Sequence, residues 1–345
     1  MDRCELLGWL QETDEARLEA LWEWADATRR RHVGDEVHLR GLVEVSNHCV
    51  RRCAYCGIAA GNTGLVRYRM EAEEILSCAR QARELGFGTV VLQAGEDPGL
   101  SRELVAGVVR RIKAETGLAV TLSLGERPDG DLAAWRSAGA DRYLLRFETS
   151  DPELYARIHP SLPGRPSDRF ALLGRLRELR YEIGSGVMIG IPGQTYATLA
   201  GDLLAFARLD LDMIGVGPWV CHPATPLGRG ELPPAAPGKQ VPATELMTYK
   251  VMALARLLCP DANIPSTTAL ATLNLASGRE LGLARGANVV MPNLTPPHYR
   301  ALYEIYPGKA CLAEATDECA ARLSERILHV GRRIGRGSGG RRRPS

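Results

Sequence analysis

The sequence predicts an α/β protein built as a complete (β/α)8 TIM-type barrel, with an N-terminal helical extension and a C-terminal helical segment. Three observations carry that expectation. Eight short β-rich runs alternate with helix-like runs from Gly34 almost to the end. Most of these runs are continuously apolar or mixed, as in parallel strands buried on both faces. Glycine recurs just past helix-like runs, at Gly86, Gly117, Gly139 and Gly286, where a left-handed cap favours it. The competing architecture is an open doubly wound sheet. The 345 residues suit one barrel of roughly 250 or more, or two domains of about 150 each.

Residues 1–34 form the extension, in which Leu18, Leu21, Trp22 and Ala25 fall at i, i+3, i+4 and i+7, one face of a helix. The barrel is assigned to residues 35–312. Strands are expected at Leu42–Ser46, Thr89–Gln93, Ala119–Leu124, Arg142–Glu148, Glu182–Ile189, Met213–Val220, Ile264–Ala269 and Asn288–Pro292. The intervening helices are Ala72–Leu85, Leu100–Thr116, Leu132–Ala138, Pro152–Ile158 with Asp168–Leu179, Tyr196–Leu209, Thr244–Leu258 and Gly278–Arg285. The Pro- and Gly-containing stretch Gly228–Pro242 reads as a surface loop. A helix is expected over 313–330. Residues 331–345 hold six arginines and no acid and read as a solvated, disordered tail, with a phosphate- or partner-binding arm as the alternative.

Composition narrows the function. Hydrophobic residues at 45% and charged residues at 24% exclude a disordered chain. Lys and Arg number 43 against 41 acids, a net charge of +2, so no bulk field argues for nucleic acid. No run approaches the roughly 20 apolar residues of a membrane span. The start, Met-Asp-Arg-Cys-Glu, lacks a secretory pattern. A cytoplasmic protein is expected. There, nine cysteines point to metal ligands or catalysts more than to disulfides.

Cys49, Cys53 and Cys56 stand in a C-x3-C-x2-C spacing directly after the first expected strand. That is the rim where barrel enzymes keep their active sites. Three close thiolates select zinc or an iron–sulfur cluster. A structural zinc wants a fourth ligand, and His48 is awkwardly adjacent to Cys49. Zinc with a remote ligand, or unligated core cysteines, remain alternatives. A four-iron cluster with three protein ligands instead keeps one iron open, as a catalytic centre requires.

With Tyr55 beside the last cysteine, C-x3-C-x-aromatic-C resembles the signature of radical S-adenosylmethionine enzymes. Further blocks resemble one family among them, the HydE maturases of [FeFe]-hydrogenase. They are Ser46-Asn47-His48-Cys49, Tyr55-Cys56-Gly57-Ile58, Arg67-Tyr68-Arg69-Met70, Val91 to Asp97, Thr121 to Glu126 and Asp141 to Arg146. Ile191 to Thr195, Ile264 to Thr268, Ala287 to Asn293, and Tyr303 with Tyr306-Pro307-Gly308-Lys309 continue the match. It spans about residues 35–312.

The resemblance implies one [4Fe-4S] cluster on Cys49, Cys53 and Cys56, its fourth iron open to S-adenosylmethionine. It places Tyr55, Gln93, Gly95, Glu96, Asp97, Glu148, Arg169, Met188, Gly190 and Pro192 at that cofactor. Thr121, Arg146, Thr267, Thr268, Met291 and Tyr303 would bind substrate, and Arg146, Tyr303 and Tyr306 would act in catalysis. Physical readings run beside these roles. Arg146 and Glu148, two apart on a strand, leave the same face, and such charges inside a barrel are costly unless paired or serving a ligand. Structural salt bridging, ordinary turns and core packing are the competing readings for these positions.

The implied substrate is a small organometallic one, an iron complex bearing cysteine, carbonyl and cyanide, attacked at the cysteine sulfur. Implied partners are other hydrogenase maturases and an electron donor such as ferredoxin or flavodoxin, with no nucleic acid and no membrane. Two features depart from the family pattern. Ala94 stands where relatives often have Ser, removing a hydroxyl from an anion site. Cys311 and Cys319 remain of a C-terminal triplet whose third position is Arg322, so no second cluster is expected. The alternative within the superfamily is hydrogen abstraction from an amino-acid-like substrate, as in biotin synthase or methylornithine synthase. A metal-free lyase would want a strand-end lysine, and an electron carrier a fourth cysteine.

Overall fold

In a computed structural model the described residues are 1–309 and 316–342. Seven parallel strands form the regular sheet: β1 (Glu36–Ser46), β2 (Thr89–Ala94), β3 (Ala119–Ser123), β4 (Arg142–Leu144), β5 (Glu182–Ile189), β6 (Met213–Pro218) and β7 (Val289–Val290). Their order is β6-β5-β4-β3-β2-β1-β7, and β8 (Arg333–Ile334) pairs with β1. Helices connect consecutive strands, as parallel pairing demands. The fold class is that of the expected barrel, but "complete" overstates the ring.

The expected strand Ile264–Ala269 is the main correction. It is reduced to isolated bridges, Met213 with Asn263 and Pro265 with Val289. Pro265 has no N–H to give a ladder, and Thr267 already caps the Thr268–Leu273 helix. Closure between β6 and β7 therefore rests on single bridges. The expected strand Arg142–Glu148 also shortens to three residues. The Ser185 hydroxyl takes the Phe147 N–H at 3.0 Å, and Glu148 adopts φ 64, a left-handed conformation that ends the strand.

The Glu15–Val33 helix packs on the Glu245–Leu258 helix, burying Leu18, Leu21, Trp22 and Ala25. Residues 331–342 are not the solvated tail expected from their charge. Arg332 is buried and the Arg341 side chain is largely covered, because Asp26, Asp210 and Asp261 supply carboxylates at the places where the chain passes.

One buried acid makes the fold pH-sensitive. Asp202, on the Tyr196–Arg208 helix, accepts the Ser150 N–H (2.5 Å) and hydroxyl (2.7 Å), while its Oδ2 has no partner. Burial pushes this carboxyl up to about 7, and the hydrogen bonds from Ser150 and Thr149 only partly oppose it. The unfolded chain releases that proton near pH 4. Folding therefore loses stability as pH rises from about 4 to 7, by an amount on the order of 2 kcal/mol between pH 5 and 8. Thermal unfolding of Asp202→Asn should lack this component, leaving the variant more stable than the parent at pH 8.

Candidate active site

A cavity of about 340 Å³ runs through the sheet from the strand C-terminal ends. Cys49, Cys53 and Cys56 all line it, in the loop following β1. Arg67 holds that loop by main-chain carbonyls. Its Nη1 donates to Asn47 (2.5 Å) and Ile58 (2.6 Å), and its Nη2 to Ala59 (2.9 Å) and Asn62 (3.0 Å). These four contacts shape the loop through its own main chain. Gly95 is required beside it, since a Cβ there would lie 2.3 Å from the His48 carbonyl oxygen and 2.8 Å from Cys49 Cβ.

Burial pushes all three thiols up, Cys53 to about 12 and Cys56 further, and neighbouring thiols add to the shift of Cys53 and Cys56. Three such groups ionise together only when metal cations compensate them. Among the described residues no group of three or more His, Cys, Asp or Glu side chains is close enough to hold a single metal ion. A cluster that gives each thiolate its own iron needs no such common point. The donor set fits a [4Fe-4S] cluster better than a mononuclear zinc.

The cavity wall also carries buried polar atoms without hydrogen-bond partners: Arg51 Nη1, Glu96 Oε1, Thr121 Oγ1, Arg146 Nε and Nη2, Glu148 Oε2 and Trp219 Nε1. Arg146 Nη2 lies 3.2 Å from Glu148 Oε2 without forming an aligned hydrogen bond. Orphaned buried groups cost roughly 1–3 kcal/mol each. A polar ligand with its own donors and acceptors would remove much of that cost.

Of the residues expected at the site, Tyr55, Gln93, Gly95, Glu96, Thr121, Arg146, Glu148, Arg169, Met188, Thr267, Thr268, Met291, Tyr303 and Tyr306 line this one cavity. Tyr303 accepts from Gln93 at 3.4 Å. Three others do not line it. The Asp97 carboxylate instead forms a bidentate pair with Arg69 (2.8 Å twice) and accepts from Ser46 (2.7 Å) and the Gly99 N–H (2.8 Å). Gly190, with φ 84, turns against Ala243, whose backbone N would be 2.3 Å from an added Cβ. Pro192 follows in the same turn and is absent from the wall.

Arg169 reaches the cavity, but not with the free fork expected of it. Its Nε donates to Glu126 (3.1 Å), Nη1 to the Arg146 carbonyl, and Nη2 meets His159 at 2.5 Å. Burial and the Arg169 charge hold His159 down at about 3, so it faces Arg169 as a neutral ring. Glu126 also accepts from Arg51 Nη2 at 2.8 Å and Ser167 at 2.5 Å. Glu96 Oε2 accepts Arg51 Nε (2.9 Å) and the Glu126 N–H (3.0 Å). Acid and base thus alternate along Glu96, Arg51, Glu126 and Arg169.

Arg51, Glu44, Arg40, Trp219 and Lys309 also line the cavity, and sequence reasoning missed them. A signal existed for two of them. Arg40 and Glu44 are four apart on one strand, so both face one side of it. Glu44 is fully buried, paired with Lys309 and accepting from Asn293 at 3.0 Å.

Comparison with known proteins agrees with this geometry. Residues 43–204 match the family described as the radical SAM superfamily, and the chain is a radical S-adenosylmethionine enzyme. It is 46% identical over 325 residues to the [FeFe] hydrogenase maturase subunit HydE of Thermotoga maritima, covering 94% of this chain and 89% of that protein. The chain therefore belongs to the HydE family of maturases. It is also 30% identical to 3-methylornithine synthase of Methanosarcina acetivorans, over 83% of this chain and 77% of that one. The crystal structure of a methylornithine synthase shares the fold, with a TM-score of 0.82 at 24% identity and coverage of 97% and 94%. Membership implies an iron–sulfur cluster and S-adenosylmethionine as cofactors. No helix among the described residues is long and apolar enough to cross a membrane.

Proposed function

We propose that the chain acts in the cytoplasm on a small iron complex carrying cysteine, carbonyl and cyanide, during assembly of the diiron part of the [FeFe]-hydrogenase active site. The reading is carried by one observation: three cysteine thiols and unsatisfied Arg51, Glu96, Arg146 and Glu148 atoms face a single cavity. Cys49, Cys53 and Cys56 would hold the cluster. When bound and reduced, cluster and S-adenosylmethionine together supply a 5′-deoxyadenosyl radical.

The chain's own residues orient and enclose. Glu148 Oε2 and Glu96 Oε1 are buried acceptors for the cofactor's hydroxyl and ammonium hydrogens, and Arg51 Nη1 is a buried donor for a carboxylate. Arg146 Nε and Nη2 offer the substrate carboxylate two N–H groups. Thr121, Thr267, Thr268, Met291, Tyr303 and Tyr306 enclose the remaining space and keep water from a reactive centre. Other maturases and a small electron-transfer protein are the proposed partners.

A single cluster is proposed. Cys311 lies outside the described residues, and so does the side chain of Cys319, so iron content decides the count. Reconstitution should give near four irons per chain, and near eight would establish a second cluster. The test of function is anaerobic reconstitution, reduction and addition of S-adenosylmethionine, with and without the iron–cysteine complex. A product joining the adenosyl carbon to the substrate's sulfur is expected. Only free 5′-deoxyadenosine, released with an amino-acid-like substrate, would favour the methylornithine synthase type of reaction instead.

A further inference from the structure

The cavity does not stop at the middle of the sheet. Arg40, Met213 and Asn263 line its lower end, near the N-terminal ends of β1 and β6. Beneath them runs the chain's own terminal segment. The Gly339 carbonyl accepts from Arg40 Nη2 (2.9 Å) and Asn263 Nδ2 (3.1 Å). The Ser338 carbonyl accepts from Thr89 Oγ1 (2.9 Å) and Arg142 Nη2 (3.0 Å). Arg40, Thr89, Arg142 and Asn263 are each at most 4% exposed, although they sit at the open ends of strands.

The fit is too close for side chains. A Cβ on Gly88 would lie 1.6 Å from the Gly337 carbonyl oxygen, and one on Gly339 would lie 2.5 Å from the His38 ring. Gly337 and Gly339 have φ 72 and 57, which glycine adopts without strain. Both ends of the segment are anchored. β8 pairs with β1 through Glu36–Arg333 and Val37–Ile334. Arg341 bridges Asp210 (2.7 Å) and Asp261 (2.8 Å) and donates to the Asp210 carbonyl (3.0 Å).

We infer that residues 335–341 plug the reaction cavity from below, backing the Arg40, Met213 and Asn263 side chains that form its lower end and closing it to solvent on the side away from the cysteines. Buried carbonyls and guanidinium groups both require partners, and here each supplies the other's. A stretch that only decorated the surface would leave the cavity-lining arginine in water.

The test reads access from below. Met213→Cys is made in the full chain and in a chain ending at Ile334, both carrying the cluster so that its three thiolates are protected. Alkylation by iodoacetamide is then followed residue by residue. Position 213 should react at least tenfold faster in the shortened chain. Cys78, buried on the Ala72–Glu84 helix with its thiol pushed up to about 12, should react equally slowly in both. Arg341→Ala in the full chain, which frees one anchor, should accelerate position 213 to an intermediate degree and decides the matter if the shortened chain does not fold. Equal rates at position 213, or rapid reaction in the intact chain, would overturn the inference. So would parallel acceleration at Cys78, which would make the segment a support of the whole fold. Alkylation reads geometry alone, so its outcome is independent of which substrate the enzyme takes.

Discussion

Replacing Arg51 by methionine is expected to destabilise the protein by about 3–5 kcal/mol. Arg51 is 2% exposed and is the shared partner of Glu96 and Glu126. Burial pulls its guanidinium down, and the hydrogen bond to Glu96 with the charges of Glu96 and Glu126 more than restores it. Methionine keeps much of the volume but leaves the buried Glu96 carboxylate without its cation and Glu126 with Arg169 alone. Breaking one member of such a chain costs more than the chain contributes, because an uncompensated charge stays behind. Denaturant unfolding of parent and variant measures the loss. Arg51→Lys should recover only part of it, since an ammonium is a point charge without the guanidinium's fork. A loss under 1 kcal/mol for Arg51→Met would show that water reaches this network freely.

Cys53→Ser should have the larger effect on function and the smaller one on fold. Iron bound after reconstitution should fall from about four per chain to almost none, and cleavage of S-adenosylmethionine should fall below detection. The substitution removes little volume from a position 9% exposed. The loop around it is held by Arg67 through four carbonyl groups and by the Asn47 side chain on Val66 and Leu302. Circular dichroism of the cluster-free variant should therefore match that of the cluster-free parent. Retained iron with full cleavage would remove Cys53 from the ligand set.

The two outcomes separate what is local from what is assembled. The cysteine spacing lies within eight residues, and so does the aromatic at Tyr55, so nearby chain suffices to specify them. Strand–helix alternation is similarly local, since apolar runs and glycine caps are properties of short windows. Glu182–Ile189 came out with the bounds expected for it. Prediction failed where one side chain competes with a ladder. Thr267 became a cap, Ser185 intruded between two strands, and Asp97 turned from the cavity to Arg69. In each case the residue type permits either role, and the nearest partner in space decides.

By itself the sequence determined the parallel α/β class and the thiol trio, because periodicity and short spacings are written along the chain, while the family resemblance implied a further set of residues that ring the cavity. Only the tertiary structure decided that Arg169 is already engaged, that Arg51 is a buried donor without a full set of partners, and that an arginine-rich ending lies under the sheet. Those are pairings between groups tens to hundreds of residues apart. A charge's neighbours, and therefore its energy, do not exist until the chain has folded.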